Sequence, residues 1–267
     1  MNATKINLAV LLACLLLGGC GGVNPSKDKS ATGASPAVAS TTAPAGRSKN
    51  LPPGVHDESL ASETGEVLRY TLSIPAGYDP GQPAPLIVAL HFGGKVTPHF
   101  SRAMLEGLIL PALGELDAII LAPDSIAGPW NNDKNEQAVL ELMKYVGENY
   151  NIDRAKTLLT GFSMGGYGTW YLGSRHQDLF SALIPIAGAP LVDENVVWTT
   201  PIYVIHSRAD DVVPIDETEK YLAGLNEEQR RQIKFVAVDD LAHFQTATFA
   251  KPLSDAVPWL KQVWHVK

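Results

Sequence analysis

The sequence predicts one α/β domain built on a mostly parallel central sheet flanked by helices, without a large lid. Two patterns predict it. Short, continuous apolar runs recur along the chain, as in strands buried on both faces. Between them lie segments whose apolar residues fall at helical spacing. A length of 267 residues allows a single large domain with a sizeable core, and no internal repeat marks a second.

The first segment is an address. Met1–Cys20 carries Lys5, an apolar run from Leu8 to Leu17, then Gly18-Gly19-Cys20. The run is shorter than the roughly 20 residues of a membrane span, so residues 1–19 read as a signal peptide. Leu17-Gly18-Gly19-Cys20 resembles the bacterial lipobox, in which the cysteine is lipidated and becomes the new N-terminus. Leu11-Leu12-Ala13-Cys14 fits the same pattern but leaves a very short apolar core. The resemblance implies lipidation at Cys20 and an exported lipoprotein, in the outer membrane or periplasm, touching a membrane only through its lipid. Residues 20–55 are the lipidated cysteine and a tether rich in Ala, Ser, Thr and Pro, too poor in large apolar side chains to offset its ordering entropy. The domain is assigned to 56–267. Both cysteines, Cys14 and Cys20, precede it, so it has neither a disulfide nor a cysteine nucleophile.

The elements follow in order. Val67–Ile74 alternates apolar and polar residues and ends at Pro75, as an early strand does. Tyr78-Asp79-Pro80-Gly81 is a turn signal. Leu86–Leu90 and Ala118–Ala122 are short buried strands, the second closed by Pro123. Glu136–Tyr150 places Val139, Leu142, Met143 and Val146 on one helical face. Lys156–Thr160 is a strand and Gly165–Ser174 a helix. Ala182–Ile186, Ile202–Ile205 and Ile233–Val238 are three further strands, and Lys251–Trp264 is a closing helix. Such alternation argues for parallel strands joined by helices. The gap between Ile186 and Ile202, where a substrate-covering insertion would sit, is short.

Charge narrows the function. A formal charge of -7 at pH 7 sets aside a nucleic-acid binder. No dinucleotide or phosphate-cradling glycine motif is present. Asp239-Asp240 lies near His243 without a further ligand at metal spacing, so no metal and no cofactor is expected.

Gly161-Phe162-Ser163-Met164-Gly165 matches G-x-S-x-G between an expected strand and an expected helix. A serine in that tight turn is held in a strained conformation with its hydroxyl projecting beyond the sheet edge. The residues two places either side must be small. The Met164 N–H points into the same space and suits an oxyanion.

The stretch Thr160–Trp170 resembles the nucleophile elbow of the α/β-hydrolase superfamily. It is most similar to the carboxylesterase/phospholipase-like, dienelactone-hydrolase-like and polyhydroxybutyrate-depolymerase-like esterases. The resemblance spans about residues 66–265 and implies a serine nucleophile followed in sequence by an acid and then a histidine. His243, after the strand Ile233–Val238, then takes the base role. His206 resembles the structural histidine of the loop His206-Ser207-Arg208-Ala209-Asp210-Asp211-Val212-Val213-Pro214, in which Asp210 holds the acid position and Asp211 faces solvent or caps the loop. Ser207 replaces the usual glycine. His91-Phe92-Gly93-Gly94 resembles the oxyanion loop, with Phe92 where glycine is usual, so the second donor is the Phe92 or the Gly93 amide. His91 is expected to fix the loop. Trp130 either lines an acyl or leaving-group pocket or is a packed surface residue. His56, His99, His176 and His265 read as surface residues.

These residues imply a carboxylic ester hydrolase using a Ser163–His243–Asp210 triad on a small or polymer-linked ester. A prolyl-oligopeptidase-like serine peptidase and a non-catalytic binder on a hydrolase scaffold are the alternatives.

Overall fold

The computed structural model describes residues 50–193 and 195–265. The segment read as a signal peptide, Cys20 and the part of the expected tether up to residue 49 lie outside the described residues. Eight strands are β1 (Gly54–Ala61), β2 (Val67–Ile74), β3 (Ala84–Leu90), β4 (Ile119–Pro123), β5 (Ile152–Phe162), β6 (Ala182–Ile186), β7 (Ile202–Ser207) and β8 (Ile233–Val238). They form one sheet in the order β1-β2-β4-β3-β5-β6-β7-β8. β1–β2 and β2–β4 pair antiparallel, and every other neighbouring pair is parallel.

Strand alternation divides the core. Ile87 and Ala89 of β3 face one layer with Ile120, Phe162 and Ile205, while Val88 and Leu90 face the other with Leu121, Leu159 and Val204. The central strands are buried on both faces, as their unbroken apolar runs require.

Helices cover both layers: α1 (Ser101–Met104), α2 (Leu110–Leu113), α3 (Asp133–Asn149), α4 (Met164–Arg175), α5 (Asp216–Gly224), α6 (Glu227–Arg230), α7 (Ala250–Ser254) and α8 (Val257–His265). The side chain of Asn132 caps α3 by accepting the Asn135 amide at 3.0 Å. No helix among the described residues is long and apolar enough to cross a membrane. The 187–201 segment between β6 and β7 carries no helix or strand among its described residues.

Three features depart from the sequence reading. β1 begins at Gly54, inside the range 20–55 read as tether, and the Leu51 amide donates to the Tyr150 hydroxyl at 3.2 Å. β1 is a half-exposed edge strand with His56, Asp57 and Glu58 at its centre, so it lacks an apolar signature. Second, Ser101–Leu116 is helical, running through α1, a π-turn at Leu105–Ile109, α2 and a 3₁₀ turn at Gly114–Leu116. The π-turn and 3₁₀ turn depart from the 3.6-residue period and blur the apolar stripe. Third, the closing helix is split into α7 and α8. Pro258 lacks an amide hydrogen, and in a continuous helix its ring would meet the Ser254 carbonyl.

Candidate active site

β5 ends at Phe162 and α4 begins at Met164, leaving Ser163 alone in the turn. Its backbone has φ 55° and ψ -117°, a conformation that costs an L-residue of order 1–3 kcal/mol. The surroundings hold it there. The Ser163 amide donates to Ile186 O at 2.9 Å, and the Tyr167 amide donates to Ser163 O at 3.0 Å. A Cβ on Gly161 would run into the Gly165 carbonyl, and one on Gly165 into the Leu90 carbonyl. Both small residues of the motif are therefore required by backbone contact, and the elbow sits directly on the end of β3.

The loops after β7 and β8 meet Ser163. His243 Nε2 lies 2.8 Å from Ser163 Oγ, and His243 Nδ1 lies 2.7 Å from Asp210 Oδ2. Asp210 Oδ1 accepts the Val212 and Val213 amides at 3.0 and 2.7 Å. With the carboxylate taking the Nδ1–H, Nε2 is left to accept the serine proton. All three side chains are buried. Phe162 packs on the His243 ring with centroids 5.2 Å apart, and Phe249 backs Phe162 at 5.0 Å.

His206 stands behind the acid, as its loop pattern implied. Its Nε2–H donates to Val213 O at 2.8 Å, which leaves Nδ1 to accept from Thr218 Oγ1 at 3.0 Å. Burial lowers its pKa, so the ring is neutral, and at 3.7 Å from Asp210 Oδ2 it leaves that oxygen to His243. Asp211 is exposed, as expected.

The loop after β3 is built around His91, which is completely buried. Nε2 accepts the Ser125 amide at 3.0 Å, so Nδ1 carries the proton and donates to Phe92 O at 2.7 Å. Burial lowers this pKa also. His91 thus fixes the loop. Among the described residues no backbone or side-chain acceptor takes the Phe92 or Gly93 amide. Met164 opens α4, so its amide has no intrahelical acceptor either.

Trp130 corrects both readings, the pocket and the packed surface. Its side chain is only 1% exposed, its Nε1–H donates to His91 O at 2.9 Å, and its ring meets the His91 ring at 5.0 Å. The tryptophan supports the loop after β3 from within the core. It lies too deep to line an open pocket.

Residues 125–232 match a protein-family model, Esterase, described as "Putative esterase". Feruloyl esterase C of Emericella nidulans is 33% identical over 155 residues, which are 55% of this chain and 56% of the fungal protein. The match therefore spans about half the length of that relative. A solved thermostable esterase superposes with a TM-score of 0.66 at 23% identity, over 78% of this chain and 62% of its own. A solved ferulic acid esterase gives 0.61 at 19% identity, over 80% of this chain and 100% of its own. This is the α/β-hydrolase fold.

Within this α/β-hydrolase fold, several residues near the site escaped the sequence reading. Ser207, treated as a perturbed glycine position, is buried, and its Oγ accepts the Ala209 and Leu241 amides, each at 3.2 Å. Tyr167 lies one helical turn past Ser163. Burial, reinforced by Glu217 and Asp210, pushes its hydroxyl up to about 12, so it is a neutral group. His176 is more than a surface residue: its Nε2 lies 2.7 Å from Glu136 Oε1, and Arg175 Nε donates to Glu136 Oε2 at 2.8 Å. This buried carboxylate joins α3 to α4, the helix that starts at the elbow. Burial raises the Glu136 pKa, but the His176 and Arg175 bonds outweigh it and hold the group below the ordinary carboxylate range. Among the described residues no group of three or more His, Cys, Asp or Glu side chains could hold a metal.

Proposed function

We propose that the chain is a carboxylic ester hydrolase that works through an acyl-enzyme on Ser163. The observation that carries this reading is the buried relay of 2.7 Å from Asp210 to His243 and 2.8 Å from His243 to Ser163. Ser163 Oγ attacks the ester carbonyl while its proton passes to His243 Nε2. Asp210 orients the imidazole and stabilises its charged form. The oxyanion turns toward the Met164 amide and the Phe92 or Gly93 amide, which are free to donate. His243 then gives its proton to the departing alkoxide, and water activated by the same nitrogen releases the acid.

The name of the fungal relative supports aromatic hydroxycinnamoyl esters as the substrate class. The N-terminal pattern supports export and a lipid on Cys20. Labelled palmitate that stays on the full chain and is lost in Cys20→Ala tests the lipid.

The reaction is tested with p-nitrophenyl acetate, butyrate and octanoate and with methyl ferulate, beside Ser163→Ala. Activity lost in the variant is expected, together with an organophosphonate adduct whose mass maps to Ser163. A folded wild type that leaves these esters intact yet cleaves a peptide amide would replace the esterase reading with the peptidase one. One that cleaves neither would favour the binder.

A further inference from the structure

Asn135 is completely buried in the first turn of α3, and all the hydrogen-bonding capacity of its side chain goes to one loop. Its Oδ1 accepts the Ile126 and Ala127 amides at 2.8 and 3.2 Å, and its Nδ2 donates to Gly128 O and Pro129 O at 3.2 and 2.7 Å. Two donors face the oxygen and two acceptors face the nitrogen, so the side-chain amide has one orientation. Residues 126–129, in the loop after β4, thus close around a single side chain.

The residues on either side of this clasp both hold His91. Ser125, just before it, donates its amide to His91 Nε2 at 3.0 Å, and Trp130, just after it, donates Nε1–H to His91 O at 2.9 Å. Asn135 therefore sets the separation of the two donors that fix His91. Asn135 is itself anchored. Its backbone amide donates to the Asn132 cap at 3.0 Å, and its neighbour Glu136 ties α3 to Arg175 and His176 of α4.

His91 passes the constraint on. Its Nδ1–H donates to Phe92 O at 2.7 Å, so the His91 and Phe92 carbonyls are both held. Every peptide bond among the described residues is trans. In a trans peptide the N–H points opposite to the carbonyl. Holding His91 O therefore aims the Phe92 amide, and holding Phe92 O aims the Gly93 amide. These are the two amides proposed above for the second oxyanion donor. Such a donor acts by being in place before charge develops, and a misplacement of about 1 Å can cost on the order of 100-fold in rate.

We propose that Asn135 is a positioning residue for the oxyanion donors of the loop after β3, acting through residues 125–130 and His91 without touching the substrate. The inference rests on the esterase reading above. Two variants test it. Asn135→Asp keeps an oxygen for the Ile126 and Ala127 amides but turns a second oxygen on the Gly128 and Pro129 carbonyls. Asn135→Ala removes all four bonds. Hydrolysis of p-nitrophenyl butyrate is counted per active site, from the organophosphonate adduct at completion, so a loss of folded protein drops out. A trifluoromethyl ketone, whose hemiketal oxyanion on Ser163 copies the intermediate, is the second probe. In each folded variant kcat is expected to fall about tenfold with KM within about twofold, and the ketone Ki to rise by the factor that kcat/KM loses. A kcat per active site that is unchanged in a folded variant, a loss confined to KM, or a Ki that does not follow the loss overturns the proposal and leaves Asn135 a structural contact. Failure of both variants to fold has the same meaning. A wild type that leaves the ester intact and takes up no organophosphonate removes the esterase reading and this inference with it.

Discussion

The Ser207 hydroxyl at the end of β7 accepts the Leu241 amide at 3.2 Å, and the same oxygen accepts the Ala209 amide at 3.2 Å. One buried atom thus joins the loop carrying Asp210 to the loop carrying His243. The relay depends on the separation of those loops, so the clasp should matter to rate as well as stability. Ser207→Ala leaves two amides without their acceptor and is expected to cost roughly 2 kcal/mol in a denaturant titration. A fall in kcat of about tenfold with little change in KM should accompany it, as for an interaction that matters mainly in the transition state. A stability loss with unchanged kcat would reduce Ser207 to a purely structural contact.

The relay should behave as one unit. Ser163→Ala and His243→Ala are each expected to lower kcat on the order of 10⁴-fold or more, and the double variant to cost little beyond either. Asp210→Asn tests the tautomer. Its Oδ1 can still accept the Val212 and Val213 amides, but an NH₂ would face His243 Nδ1 and turn Nε2 into a donor. A loss of about 10⁴-fold in kcat with an unchanged melting temperature is expected. Multiplying losses in the Ser163/His243 double variant would mean that the two act separately.

The elbow should be intolerant of a single methyl group. In Gly165→Ala the new Cβ meets the backbone carbonyl of Leu90, which cannot rotate away as a side chain could. Destabilisation of about 3 kcal/mol or more is expected, among the larger values for point changes. Gly107, by contrast, has open space around its Cβ direction and lies in helical backbone. Gly107→Ala should be neutral or slightly stabilising, and thermal melts of the two variants decide the matter. Equal melting temperatures would mean that the β3–elbow contact relaxes at little cost.

What the sequence made readable follows from where the signals are local. The apolar runs of β3, β4, β6 and β7 reflect burial on both faces, and Gly161–Gly165 reflects one tight turn. Hence the sheet and Ser163 could be found without coordinates. Asp210 and His243 needed the order of a family as well, because they are 33 residues apart and meet only in space. Trp130 was placed at a pocket or at the surface because the local pattern of an indole does not report its depth; its burial and its bond to His91 O, 39 residues away, place it in the core. Ser207 was hidden for another reason: its partner Leu241 is 34 residues away. β1 and the helix through Leu105–Ile109 lacked, respectively, apolar alternation and a constant helical period.

Acid should weaken the fold in two stages with different causes. Burial depresses the pKa of His91 and His206 below the ordinary 6.5. As pH falls below 6.5, the unfolded chain takes up protons that the folded chain refuses. The stability these rings contribute is therefore complete above that value and declines beneath it. Glu136 also has a depressed pKa, but as an acid its contribution is complete above the ordinary 4.5 and is lost as pH falls through its lower folded value. Urea unfolding at pH 7.5, 5.5 and 4.0 should give a fall at the first step and a further fall at the second. His206→Asn removes one titrating ring while keeping a donor for Val213 O. It should be less stable than wild type at pH 7.5, by about 1 kcal/mol for an imperfectly replaced bond, yet lose less between pH 7.5 and 5.5. A wild type equally stable at those two values would contradict the buried neutral state of both histidines. A variant with the full wild-type slope would exonerate His206 and leave the first stage to His91.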